Sequence, residues 1–279
     1  MRNPFQSNTF RGKFKQFLDM SEKISHVLVA GLCFTMLQML VAGCSVKEDR
    51  SLCPCRLMLD FSSLDTSLFK SIDVRAESSA GLLFFDTVSA MDFSSEYVRN
   101  VPKGFLRVSV WSGMDGEDAL QIPYGVECPP LYMGVFDIDA SGETCMQKVV
   151  LHKNHCRLTV RMEGRDDVPY SLTFRGKVSG YGFDGSLSGE GFCSVAYPDQ
   201  EGHLHTVLPR QADSSLMMDL DDGYGFFKTF ALGEYMEQSG YDWAAESLSD
   251  AEVVLDYYVT HIKISVLGWD EEYYYTVIL

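Results

Sequence analysis

The period of the hydrophobic pattern limits what this chain can become. In Cys156-Arg157-Leu158-Thr159-Val160-Arg161-Met162-Glu163 the side chains of Leu158, Val160 and Met162 take one face, and those of Arg157, Thr159, Arg161 and Glu163 the other. A period of two belongs to a strand half-buried against a core, because successive Cβ atoms point to opposite faces of a sheet. Residues 105–111, 171–177, 216–220 and 257–266 read the same way. Pro102-Lys103-Gly104, Asp115-Gly116, Ser141-Gly142 and Asp221-Asp222-Gly223 punctuate the strands at hairpin and Greek-key intervals. One helix is expected, at 232–238, closed by Ser239-Gly240. Helices of ten or more residues do not alternate with the strands, which argues against a doubly wound sheet. No fixed-period repeat is visible, which argues against a propeller or solenoid. The expected fold is all-β. A sandwich takes about 100 residues, so the chain divides into two tandem Greek-key β-sandwich domains, 56–151 and 152–279.

The N-terminal segment is a different object. Arg2, Arg11, Lys13, Lys15 and Lys23 outweigh Asp19 and Glu22, so residues 1–43 carry +3 while the whole chain carries −16 and the remainder −19. Residues 27–42 form an uncharged run of 16. That is shorter than the roughly 20 residues of a membrane-spanning helix, and it lacks the polar face of a surface helix. A basic leader before an apolar run is a secretory signal. Met20 opens a signal of more usual length, so Met1 and Met20 are both start candidates. The run ends in Val41-Ala42-Gly43-Cys44, which resembles the lipobox of bacterial lipoproteins. Small residues there fit a peptidase cleft, and the cysteine sulfur takes diacylglycerol. Residues 1–43 are then a signal peptide, and 44–55 a tether lipidated at Cys44. Each buried acyl methylene contributes about 0.8 kcal/mol, so several chains make a lasting anchor. Lys47, Glu48 and Asp49 resemble the surface-export tag of Bacteroidota lipoproteins, with a solvated charge cluster as the alternative. The expected location is the outer membrane, lipid-anchored and surface-exposed.

Little in the chain suggests reaction chemistry. A charge of −16 disfavours nucleic acid, whose phosphates need lysine and arginine patches. Of eight cysteines, Cys33 leaves with the signal and Cys44 carries lipid, leaving Cys53, Cys55, Cys128, Cys145, Cys156 and Cys193. Proline-marked junctions suggest a disulfide from Cys53 or Cys55 to Cys128; buried free thiols are the alternative. Gly180-Tyr181-Gly182-Phe183-Asp184-Gly185 spells a dinucleotide fingerprint, but the residues after it cannot open the helix that a pyrophosphate needs, so a glycine-rich turn is expected. Asp219-Leu220-Asp221-Asp222-Gly223 lacks the glutamate of a calcium loop. His152, His155, His203 and His205 fall in two clusters with no second pair of ligands, so no metal is expected. No cofactor and no catalytic residue is assigned.

Several short motifs carry more. Cys44-Ser45-Val46, Cys53-Pro54-Cys55-Arg56-Leu57, Val101-Pro102-Lys103-Gly104, Val110-Trp111-Ser112-Gly113, Cys128-Pro129-Pro130-Leu131-Tyr132, Leu208-Pro209-Arg210-Gln211, Gly240-Tyr241-Asp242-Trp243 and Leu267-Gly268-Trp269 occur in that order. Together they resemble the fimbrial anchor-subunit lipoprotein family (FimB-like) of Bacteroidales type V pili. The resemblance implies two transthyretin-like β-sandwiches, lipid attachment at Cys44, no enzymatic activity, and a role in attaching the pilus shaft to the outer membrane and limiting its length. Its implied partners are major or minor shaft subunits. A surface lipoprotein that binds glycans for uptake is the alternative, and it would expose Trp111, Trp243 or Trp269 rather than pack them. The family also implies that a C-terminal segment can complete a neighbour's open sandwich. Tyr273, Tyr274, Tyr275, Thr276, Val277, Ile278 and Leu279 are uncharged and rich in strand formers, as a donor strand would be. The alternative is that they are the last strand of the chain's own second sandwich.

Overall fold

The computed structural model describes residues 53–89, 91–116, 119–163, 170–225, 227–256, 261–266 and 272–276. The strands are β1 (Cys55–Asp60), β2 (Ser71–Ser78), β3 (Gly81–Ser89), β4 (Glu96–Val101), β5 (Phe105–Ser112), β6 (Leu120–Gln121), β7 (Tyr132–Asp139), β8 (Thr144–Lys148), β9 (His152–Lys153) and β10 (His155–Glu163). They continue with β11 (Ser171–Gly176), β12 (Gly180–Tyr181), β13 (Leu187–Ser188), β14 (Phe192–Ala196), β15 (His203–Pro209), β16 (Met217–Asp221), β17 (Phe227–Phe230), β18 (Ala251–Asp256), β19 (His261–Val266) and β20 (Glu272–Thr276). The fold is all-β, as the period of two requires. The helix α1 (Leu232–Gln238) buries Leu232, Gly233 and Met236. It ends where Gly240 turns to φ +84°, a conformation that glycine adopts without penalty.

The same strand order occurs twice. In the first half β4-β1-β8 and β3-β2-β5-β7-β9 are the two sheets; in the second half they are β15-β10-β18-β19-β20 and β14-β11-β16-β17. β1 lies between antiparallel β4 and parallel β8, and β10 between antiparallel β15 and parallel β18. β2 lies between β3 and β5, and β11 between β14 and β16. The repeat is topological: it conserves alternation and turn placement, not residue identity, so no period shows in the sequence.

Each half has a core. Leu57, Leu59, Val74, Ala76, Val108 and Val110 belong to the first, and Leu158, Val160, Leu172, Phe174, Leu204, Met218 and Val253 to the second. Full burial of the Val, Leu, Phe and Met side chains among them contributes about 1.5–3 kcal/mol each. The stretch from Trp111 to Met133 supplies Trp111, Met114, Leu120, Ile122, Cys128, Leu131 and Met133 to the second core, although β5 and β7 pair in the first half. A further small sheet, β13-β12-β6, stitches that stretch to residues 180–188. Residues 53–279 accordingly form one compact unit, and the junction near residue 151 is crossed by β9, which pairs with β7.

Candidate functional site

Motifs far apart in the chain meet where the two cores join. Trp111, at the end of β5, is fully buried; its ring stacks on Phe85 at 5.8 Å and packs on Phe183 at 5.1 Å. Its indole N–H donates to the Met114 carbonyl at 3.0 Å. Gly113 has φ +101°, and a Cβ there would lie 2.0 Å from the Pro130 carbonyl oxygen. Leu131, next along, accepts the Asn154 N–H at 2.9 Å and the His155 Nδ1–H at 3.0 Å.

Tyr181 and Arg210 close the joint. The Tyr181 hydroxyl donates to the Asn154 carbonyl at 2.8 Å and accepts the Arg210 N–H at 3.0 Å. The Arg210 Nε donates to Asn154 Oδ1 at 2.9 Å, and its terminal nitrogens donate to the carbonyls of Trp243 (2.6 Å), Ala245 (2.7 Å) and Glu246 (3.3 Å). Burial lowers its proton affinity, yet a guanidinium remains charged. A cleft of about 500 Å³ opens beside it, bounded by Gln211, Glu237, Tyr241, Asp242 and Trp243. Trp243 is only 5% exposed and packs edge-on against Tyr241 at 4.7 Å. Gln211 accepts the N–H groups of Lys177 and Val178. Arg210, Gln211 and Tyr241 thus turn their polar groups onto the chain's own backbone, whereas the buried Trp243 indole nitrogen has no hydrogen-bond partner among the described residues. Chemically this is a latch that ties the 240–246 loop to Arg210 and Asn154.

The other residues singled out from sequence are scattered. Cys44, Lys47, Glu48, Asp49, Trp269, Val277, Ile278 and Leu279 lie outside the described residues. Tyr273, Tyr274, Tyr275 and Thr276 lie in β20, which pairs with β19 at the edge of the chain's own five-stranded sheet. Cys53 is exposed, and Cys55 and Cys128 are buried in different cores. The fold brings Cys55 Sγ to 3.4 Å from Cys145 Sγ, while the Cys128 thiol donates to the Pro129 carbonyl. The glycine-rich segment is a turn between β12 and β13, with Gly185 at φ +81°. Asp219 pairs with Arg175 at 2.7 Å. His152 Nε2 is 3.3 Å from Glu246. His155 is fully buried, and burial pulls its pKa down to about 4. His203 and His205 face outward on β15. Among the described residues no helix is long and apolar enough to cross a membrane. Arg210, Tyr181 and Asn154 act together, but in sequence Arg210 stands in Leu208-Pro209-Arg210-Gln211 and Tyr181 in the glycine-rich segment, with nothing to join them.

No family model matches the sequence, and no curated protein matches it significantly. Solved structures do share its fold. A candidate polysaccharide-binding protein from Bacteroides thetaiotaomicron superposes with a TM-score of 0.61 at 14% identity, over 80% of this chain and 98% of that one. A candidate adhesin from Bacteroides ovatus gives 0.59 at 14% identity, over 83% and 97%. The fimbrial anchor protein Mfa2 from Porphyromonas gingivalis gives 0.56 at 13% identity, over 78% and 98%.

Proposed function

We propose that this chain is a lipid-anchored fimbrial subunit that attaches a pilus shaft to the outer membrane and limits its length. The observation that carries the reading is the match along nearly the whole of a fimbrial anchor protein, 98% of Mfa2, by a chain whose own signal run ends in Cys44. The 111–133 stretch, which enters the second core while β5 and β7 pair in the first half, fits a load-bearing role, since force on the shaft reaches the lipid through both halves. In this reading Cys44 holds the acyl chains, 44–55 is the tether, Lys47, Glu48 and Asp49 direct export, and the two β-sandwiches act as domains between membrane and shaft. The partners are shaft subunits, the function is non-enzymatic, and no cofactor is involved. Shearing fimbriae from cells with and without the gene tests it. Shafts stay with the membrane fraction in its presence and are shed, longer, in its absence; equal retention and length would sink the reading.

The second reading, a surface glycan-binding lipoprotein, is favoured by the Bacteroides thetaiotaomicron neighbour. Trp111 and Trp243 are buried, so a stacking platform would have to use exposed rings such as Tyr124, Tyr197 and Tyr224. Saturable binding of labelled polysaccharide, lost on alanine substitution of those tyrosines, would select it.

A further inference from the structure

We propose that Asp199, His203 and His205 form a binding site for a divalent transition metal of the Zn2+ class. Along β15 the side chains of Leu204, Thr206 and Leu208 enter the core, which leaves His203 and His205 together on the outer face. The turn before the strand folds Asp199 back onto them: its N–H donates to the His203 carbonyl at 2.7 Å, and its own carbonyl accepts the Gly202 N–H at 3.2 Å. Asp199 Oδ1 accepts the N–H groups of Glu201 (2.8 Å) and His203 (3.0 Å), which pins the carboxylate. Oδ2 is then 3.5 Å from His205 Nε2. One ligand atom from each of the three residues lies within 4.8 Å of the others. Donors about 2.0–2.2 Å from a tetrahedral ion are about 3.4 Å apart. Rotation of solvent-facing side chains supplies that closure.

A further contact prepares one ligand. Thr159, the register partner of His205 on β10, places its hydroxyl 3.1 Å from His205 Nδ1. An outer hydrogen bond of this kind fixes the ring of a metal-bound histidine and leaves the other nitrogen for the ion. Arg161, opposite His203, reaches Glu252 at 3.4 Å, so a carboxylate offsets its charge. Glu201 lies 4.0 Å from His203 Nδ1 and adds a second carboxylate. Two imidazoles with a carboxylate suit Zn2+, Ni2+ or Cu2+, whereas Ca2+ and Mg2+ take oxygen ligands. Three protein ligands leave a coordination position for water or for a side chain of a neighbouring subunit.

The test is calorimetric titration of ZnCl2 into the purified full-length chain after accessible thiols have been alkylated, repeated with MgCl2. Three variants carry it: His203→Ala, His205→Ala and, as a control at a histidine outside the cluster, His152→Ala. An unchanged melting temperature without metal shows that each is folded. The expected result is one saturable Zn2+ site, weakened at least about tenfold in each cluster variant and unchanged in the control, with Thr159→Val also weakening it about tenfold or more. No saturable binding below about 1 mM, or a weakening of less than about tenfold in either cluster variant, would overturn the proposal.

Discussion

At Gly113 two requirements coincide. Its φ of +101° is closed to side-chain-bearing residues, and the Pro130 carbonyl occupies the place of a Cβ. Gly113→Ala must therefore both strain the backbone and part the 110–113 segment from 128–132; the expected loss is roughly 3 kcal/mol or more, read as a fall in the urea midpoint. His155 sets a pH dependence. Its folded-state pKa is depressed from 6.5 to about 4, so between those values the unfolded chain binds the extra proton and stability falls as pH falls. The full drop is on the order of 3 kcal/mol. Asp73 works the other way: burial raises its pKa, so folding gains as pH falls. The difference between wild type and His155→Gln isolates the histidine. Urea midpoints that decline equally in both between pH 6.5 and 4 would contradict the assignment.

At the scale of elements, β20 and the 240–246 loop are the informative pieces. Residues 272–276 pair with 261–265 in antiparallel register, so deleting 273–279 removes a strand that the chain uses itself and leaves β19 as the new edge. The melting temperature of the truncated protein is expected to fall. An unchanged melt together with loss of shaft retention would favour donation of the segment to a neighbour. The loop depends on Arg210, whose replacement by alanine strands the Asn154 side chain and three backbone carbonyls. A loss of roughly 3 kcal/mol is expected, with faster hydrogen exchange confined first to residues 240–246 and to Asn154.

For the whole molecule the question is where it is held. Cys44→Ala removes the acyl acceptor, and the protein should leave the membrane fraction; a variant still in the outer membrane would remove lipidation from the reading. Replacing Lys47, Glu48 and Asp49 together by alanine should lower surface labelling while the membrane amount stays constant.

Residues 156–163 and 105–111 showed their strands in the bare sequence, because alternation is a local property that the pleat imposes on any half-buried strand. Glycine turns and the short helix were legible for the same reason: a φ above zero or a helix end is decided within a few residues. The joint was not. Trp111 reads as one more residue of β5, and nothing near it shows that its ring crosses into the second core, or that Arg210 will find carbonyls more than thirty residues away. Asp199 was missed as a partner of His203 and His205 because only the turn folds it back over β15. Such groupings come from tertiary contact, where long-range hydrophobic burial fixes which strands stack. Their polar side chains then pair with whatever that stacking brings within hydrogen-bonding distance.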